Sequence, residues 1–250
     1  YAGTSFFQQG QGVAAGLRFL EQRADVDAAR IGVLGSSLGG FQALSGAAFA
    51  PAGARPKVVG ALYPFTDIPR WLTYLDVELP PQLGTDDRRA AFAYFLDPYK
   101  RRAVAGATGQ LQCFSNAFFA ARITGRVLVT ADTWDMINPH ATAKDLVAQL
   151  GPRGESLFYE HILILDRSAQ GLSHVLDAEP QFPSHTTLTL AWTLNALVTQ
   201  PQVLVPYSAA PLRAFFVRVR DLHRGGFPQN ALVPRIVELA DPRVQRYELT

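Results

Sequence analysis

Ile31-Gly-Val-Leu-Gly-Ser-Ser-Leu-Gly-Gly40 decides how this chain is read. A short apolar run goes straight into Gly35-Ser36-Ser37-Leu38-Gly39, and Phe41, Ala43 and Leu44 then continue at helical spacing. The pattern is strand, sharp turn, helix. In G-x-S-x-G the middle serine sits on a strained turn that lifts its hydroxyl above the sheet, and glycines two residues to either side leave room for the tight backbone. Ser37 is therefore the candidate nucleophile. If Ser36 held that place, Leu34 and Leu38 would stand where bulk is least tolerated.

Outward from the elbow, the chain alternates between two periods. Val13, Leu17 and Leu20 form one stripe of an amphipathic helix expected over residues 9 to 23, and Asp25 to Arg30 is a polar connection into the elbow strand at 31 to 34. The elbow helix runs to about Phe49, and Pro51, Gly53 and Pro56 close the unit. Val58 to Leu62 reads as a buried parallel strand, and Arg126 to Thr130 as another. A helix follows from His140 to Leu150, then a strand within Leu157 to Leu165 and an apolar helix over 184 to 199 with Leu188, Trp192, Leu194 and Leu197. Strand and helix in alternation imply a parallel sheet. In the last fifty residues Val217-Arg-Val-Arg220 alternates like a strand, whereas Arg235 to Leu239 has helical character. Interspersed acids and arginines there mark a solvated extension rather than a basic binding patch.

Composition bounds the partners. With 250 residues and 48% hydrophobic content the chain can bury a sizeable core, and a net charge of +2 gives no electrostatic case for nucleic acid. The one cysteine, Cys113, cannot form an internal disulfide, no Cys/His cluster has zinc spacing, and no apolar run reaches the length of a membrane span. No metal or organic cofactor is implied. The sequence starts at Tyr1 with neither a basic nor an apolar leader in its first residues, which leaves compartment and oligomeric state open.

Three polar residues fall just past the C-terminal ends of three expected parallel strands: Ser37, Asp135 and His174. Catalytic groups of open α/β sheets gather at that edge. A serine hydroxyl becomes a useful nucleophile when an imidazole takes its proton, and the imidazole needs a carboxylate to fix its tautomer and stabilise its charge. Asp135 is preferred to Asp132 because it stands beside the Met136-Ile-Asn-Pro139 closure, and His174 to His161, which lies inside an apolar strand as a structural histidine. His140 and His185 stand at helix starts as surface or capping residues, and Cys113 reads as a buried small residue without a nearby base.

In these stretches the sequence resembles the α/β-hydrolase superfamily, in the branch of dienelactone-hydrolase-like and prolyl-oligopeptidase-like enzymes. Arg30 to Gly40 carries the elbow, Asp135-Met-Ile-Asn-Pro139 is similar to the family's acid loop D-x-x-V-P, and Gly171-Leu-Ser-His174 supplies the histidine in the family's order. The resemblance spans residues 9 to 199. It implies an α/β-hydrolase fold, a mainly parallel sheet flanked by helices, in which residues 1–199 are the core, 67–122 a helical cap insertion and 200–250 a C-terminal extension. It implies a serine hydrolase acting on a small-molecule acyl substrate through an acyl-enzyme, with carboxylic esters first and peptide, amide or acyl-transfer chemistry on the same triad as alternatives. A non-catalytic hydrolase-like binding module is the alternative from another class. The backbone N–H of Leu38, next after the nucleophile, is the expected oxyanion donor. Trp71, Tyr74, Phe92 and Phe95 of the aromatic insertion are the candidate pocket walls.

In the same family several strands precede the helix that leads to the elbow, whereas here one helix does. Residues 1 to 250 are therefore expected to be the C-terminal part of a longer hydrolase, with the elbow strand exposing an unpaired edge and the isolated piece poorly soluble and nearly inactive. The alternative is that the tail folds back beside the elbow strand, with residues 217–220 as the best candidate.

Overall fold

Ser5 opens the first helix, α1 (Phe6–Glu21), with a capping box: its side chain accepts from Gln8 N–H at 3.2 Å, while Gln8 Oε1 accepts from Ser5 N–H at 2.9 Å. The helix thus starts three residues ahead of the expected residue 9. Its buried face is Phe6, Gly10, Ala14 and Leu17, and Leu20 is partly exposed. The computed structural model describes residues 4–105, 111–132, 135–161, 189–190, 192–193, 196–197, 234–238 and 245–249.

The elements follow in the order β1 (Gly32–Ser36), α2 (Leu38–Phe49), β2 (Val58–Leu62), α3 (Ile68–Thr73), α4 (Asp86–Val104), α5 (Asn116–Phe119), β3 (Arg126–Asp132), α6 (His140–Leu150), β4 (Gly154–His161), β5 (Pro234–Glu238) and β6 (Gln245–Leu249). The strands form one sheet in the order β1-β2-β3-β4-β6-β5. All neighbours run parallel except β5 and β6. Residues 234–238 are therefore strand rather than helix, because Ile236 and Val237 find a pairing partner in β6. β5 and β6 extend the sheet beyond β4, at the edge away from β1. Residues 217–220 lie outside the described residues.

Alternation along the strands sorts the sheet into two faces. On one, Val59, Ala61, Val127, Val129 and Ala131 are covered by α2 through Ala43, Leu44 and Ala47 and by α6 through Leu146 and Leu150. On the other, the helical residues Thr189, Thr193 and Leu197 come up against Gly32 and Gly60. Trp192 Nε1 donates to Glu155 at 2.9 Å there, and the Arg126 guanidinium, which pairs with Glu155, stands 5.1 Å from the Trp192 ring centre. The result is the expected α/β architecture, a mainly parallel sheet flanked by helices. β4 begins at Gly154, three residues ahead of its expected start, because Gly154 and Glu155 already pair with Val127 and Leu128 of β3.

α1 lies directly on α2. A Cβ built on Gly10 would stand 2.4 Å from the Ser45 Cβ, and one on Gly46 2.4 Å from Val13 Cγ1, so this helix pair approaches more closely than side chains allow. The approach carries Phe6, fully buried, into an aromatic cluster with Phe41, Phe65 and Trp71.

Between β2 and β3 stands the aromatic insertion. It holds the short α3, a wide π-type turn at residues 74–78, a 3-10 turn at 80–83, and α4, which at 19 residues with Pro98 inside is longer than the short helices expected. Its two ends are tied together. Ala117 N–H donates to the Thr66 carbonyl at 3.0 Å and Ile68 N–H to Ser115 Oγ at 2.8 Å. α5 and the residues after it drop under the sheet, where Phe119, Ala120 and Ile123 join the main core.

Candidate active site

The elbow's geometry begins with Ser37, at the junction of β1 and α2, whose φ of 56° and ψ of −120° are rare for any residue with a side chain. Two contacts hold it there. Ser37 N–H donates to the Leu62 carbonyl of β2 at 2.8 Å, and a Cβ on Gly35 would lie 2.1 Å from the Gly39 carbonyl oxygen. Gly35 is thus the glycine that the turn needs for close approach. Gly39 has open space, and the second tight position is Gly40, where a Cβ would stand 3.0 Å from the Leu62 carbonyl oxygen.

Leu38 is the first residue of α2, and its N–H has no carbonyl one turn earlier in the helix to donate to. Such N–H groups, with the positive end of the helix dipole behind them, attract developing negative charge.

Ser37 and Leu38 line a pocket of about 130 Å³ together with Phe65, Trp71, Phe95, Leu96, Tyr99, Ile137 and Asn138. The wall is mostly apolar and aromatic. Phe65 stacks on Phe41 of the elbow helix, ring centres 4.8 Å apart, and on Trp71 of the insertion, 4.6 Å apart. One continuous stack therefore joins the elbow to the insertion. Trp71 is buried, whereas Phe95 is half exposed. Tyr74 lines a neighbouring pocket of about 200 Å³ with Arg70, Glu78, Asp135, Pro139, His140 and Ala141. Phe92 is buried in the aromatic cluster and lines neither pocket.

Asp135 follows β3 on a buried loop. Its Oδ1 accepts from the N–H groups of Ile137 at 2.9 Å and Asn138 at 3.0 Å, an Asx-type turn that fixes the carboxylate's orientation. The insertion clamps the same loop from above. Trp71 Nε1 donates to the Ile137 carbonyl and Tyr74 Oη to the Met136 carbonyl, both at 3.0 Å. Ser37, Leu38, Trp71 and Phe95 thus share one pocket, with Asp135 and Tyr74 on the pocket beside it. His174 and His185 lie outside the described residues. His161 ends β4 with its Cα opposite Leu249.

Two expectations change. His140 is half-buried, with a buried Nε2, because α6 starts beside Asp135 rather than at the surface. Cys113 is half-buried on the 3-10 turn Leu111–Phe114 rather than sealed in the core. Phe65, Leu96, Tyr99, Ile137 and Asn138 line the pocket without having been marked by the sequence. For Leu96 and Tyr99 a signal existed, as they continue the Phe92 and Phe95 faces of one helix at spacings of three and four. Among the described residues, no group of three His, Cys, Asp or Glu side chains is placed to hold a metal ion, and no helix is long and apolar enough to cross a membrane.

No protein-family model and no curated protein matches this chain. Solved structures similar to it include an acetyl xylan esterase from Paenibacillus sp. R4, with TM-score 0.45 and 24% identity over 61% of this chain and 46% of that one. Acetyl xylan esterase 1 from Thermoanaerobacterium sp. JW/SL YS485 gives TM-score 0.44 and 22% identity over 60% and 45%. Dipeptidyl peptidase 4 of Porphyromonas gingivalis gives 0.43 and 20% over 65% and 20%. The chain spans less than half the length of each of these structures.

Proposed function

We propose that this chain is a serine hydrolase of the α/β-hydrolase type that cleaves carboxylic esters or related acyl compounds through an acyl-enzyme. The observation that carries the reading is Ser37 itself: a non-glycine residue in a costly backbone conformation, at a strand-to-helix turn, on the wall of an apolar pocket. Strain of that kind persists only where the surroundings enforce it, and here its effect is to present a hydroxyl beside the first N–H of a helix.

In this reading Ser37 Oγ adds to the ester carbonyl carbon while His174 takes the hydroxyl proton. The carbonyl oxygen gains the negative charge, which the Leu38 N–H stabilises. Collapse of the tetrahedral adduct breaks the bond to the alkoxy oxygen, which leaves as the alcohol with the proton from His174. Water then repeats the sequence on the acyl-enzyme, releasing the carboxylic acid and restoring Ser37. Asp135 orients His174 and stabilises its charged form. The mostly apolar, aromatic wall of the pocket beside Ser37 suits an uncharged acyl group.

The test is covalent labelling. A fluorophosphonate should modify Ser37, and Ser37→Ala should abolish both labelling and hydrolysis of p-nitrophenyl acetate, with Ser36→Ala losing much less. A folded full-length protein inert to both reagents would make the chain part of a non-catalytic module, and modification at Ser36 would move the nucleophile.

A further inference from the structure

Asn138 stands where separate parts of the site meet. Its backbone N–H donates to Asp135 Oδ1 at 3.0 Å, its side-chain Nδ2 donates to the Tyr63 carbonyl, and it lines the pocket that holds Ser37. A carbonyl only accepts, so the nitrogen is the amide atom that faces Tyr63. Tyr63 is unusual in its own right. With φ of 48° it is, beside Ser37, the only non-glycine residue with left-handed backbone among the described residues, and a bulky side chain there persists only when neighbours over-determine it.

Both sides of Tyr63 are tied. Its N–H donates to the Thr130 carbonyl of β3 at 2.9 Å, and its carbonyl receives the Asn138 amide. The residue just before it, Leu62, supplies the carbonyl that accepts the Ser37 N–H at 2.8 Å. An unbroken path of covalent and hydrogen bonds therefore runs from Ser37 through Leu62, Tyr63 and Asn138 to Asp135 without passing through a histidine. The Asn138 Oδ1 is buried and has no hydrogen-bond partner among the described residues. An apolar side chain of the same size would avoid that desolvation cost, so an amide is a poor choice here unless its N–H₂ is what the position requires.

We propose that Asn138 is a positioning residue, whose amide fixes the spacing between the nucleophile elbow and the acid loop by holding the Tyr63 carbonyl. This rests on the serine-hydrolase reading above. The side-chain Nδ2 is taken up by the Tyr63 carbonyl. It sets where Asp135 stands relative to Ser37, so its loss should slow the chemical step and leave ground-state binding in the apolar pocket nearly unchanged.

The experiment compares Asn138→Leu, near in volume but without a donor, with Trp192→Phe, which removes a buried hydrogen bond to Glu155 at the opposite end of the strands. Each variant of the whole chain is checked for folding by circular dichroism, and then kcat and KM for p-nitrophenyl acetate and the fluorophosphonate labelling rate are measured. The expected result is a fall of 30-fold or more in kcat and labelling rate for Asn138→Leu with KM within threefold, and kcat within threefold of wild type for Trp192→Phe. Asn138→Ala serves if the leucine variant does not fold. Retention of kcat within threefold by a folded Asn138 variant overturns the assignment, as does equal loss in Trp192→Phe or failure of both Asn138 variants to fold. In those outcomes wild type still reacts with the fluorophosphonate. A wild type inert to it overturns the hydrolase reading and this inference together.

Discussion

Replacing Ser37 by glycine and by alanine separates the cost of the elbow from its chemistry. Both variants lack the nucleophile and both lose whatever the hydroxyl contacts, so they differ in little except the backbone. At φ 56° and ψ −120° alanine keeps the strain and glycine does not. Strain at such positions costs about 1–3 kcal/mol. Glycine's greater freedom in the unfolded chain offsets about 0.5–1 kcal/mol of that. The net advantage of glycine is then roughly 0 to 2.5 kcal/mol, centred near 1, and for a chain of this size about 1 kcal/mol moves Tm by roughly 2–4 °C. Ser37→Gly should therefore be inactive and melt about 2–4 °C above Ser37→Ala when the two are followed side by side by circular dichroism. A glycine variant that melts below the alanine one would mean that residue 37 is not held in left-handed backbone, and the reading of the elbow would fall with it.

Gly35→Ala sets a methyl against the Gly39 carbonyl oxygen and should displace the start of α2, costing about 1–3 kcal/mol or more and most of the activity; an alanine variant with unchanged Tm would refute the close approach. Trp71→Phe keeps the stack on Phe65 but leaves the buried Ile137 carbonyl without its N–H, so a loss of about 1–3 kcal/mol is expected, read by chemical denaturation. Trp71→Ala should instead widen the pocket and shift acyl-chain preference upward, and an unchanged preference across an acyl series would reduce the insertion to packing. Asp27 is held below the usual carboxylate range by the Arg30 guanidinium and then by Ala29 N–H. A depressed folded pKa contributes stability above the unfolded pKa and loses it as pH falls through the folded one. The Tm gap between wild type and Asp27→Asn should accordingly close on acidification, and a gap independent of pH would show that the ion pair plays no part.

The local half of the site was open to sequence reasoning and the non-local half was not. Gly35-Ser36-Ser37-Leu38-Gly39 reads as a strand-to-helix turn because the close approach of Gly35 to Gly39 lies within the motif, whereas the Leu62 carbonyl that holds Ser37 lies outside it. Val58–Leu62 reads correctly because a short unbroken apolar run is what a fully buried strand needs, and His140–Leu150 because Gly151-Pro152 stops it. The start of α1 was misplaced because Ser5 and Gln8 act as a reciprocal cap, a short signal that precedes the apolar stripe. Residues 235–239 looked helical because a lone short segment carries no sign of the partner that makes it a strand. Tyr63 was not foreseeable. Its left-handed backbone is imposed by Thr130 and Asn138, residues more than sixty positions later, and nothing in Leu62-Tyr63-Pro64 marks it.

The tie between Thr66, Ile68, Ser115 and Ala117 makes the insertion a loop with a closed neck. Its ends meet whatever lies between them, so the sheet below does not register how long the excursion is. Closure entropy rises only by about 0.6 kcal/mol for each doubling of a flexible loop, a small charge on top of a neck already hydrogen-bonded. Residues 69–114 are thus the part of this chain that can be exchanged as a cassette. A different cassette would bring a different wall beside Ser37, and the strands, α2 and the loop of Asp135 would keep their places, provided that the new wall again packs on Phe6, Phe41 and Phe65 and offers donors to the carbonyls of Met136 and Ile137.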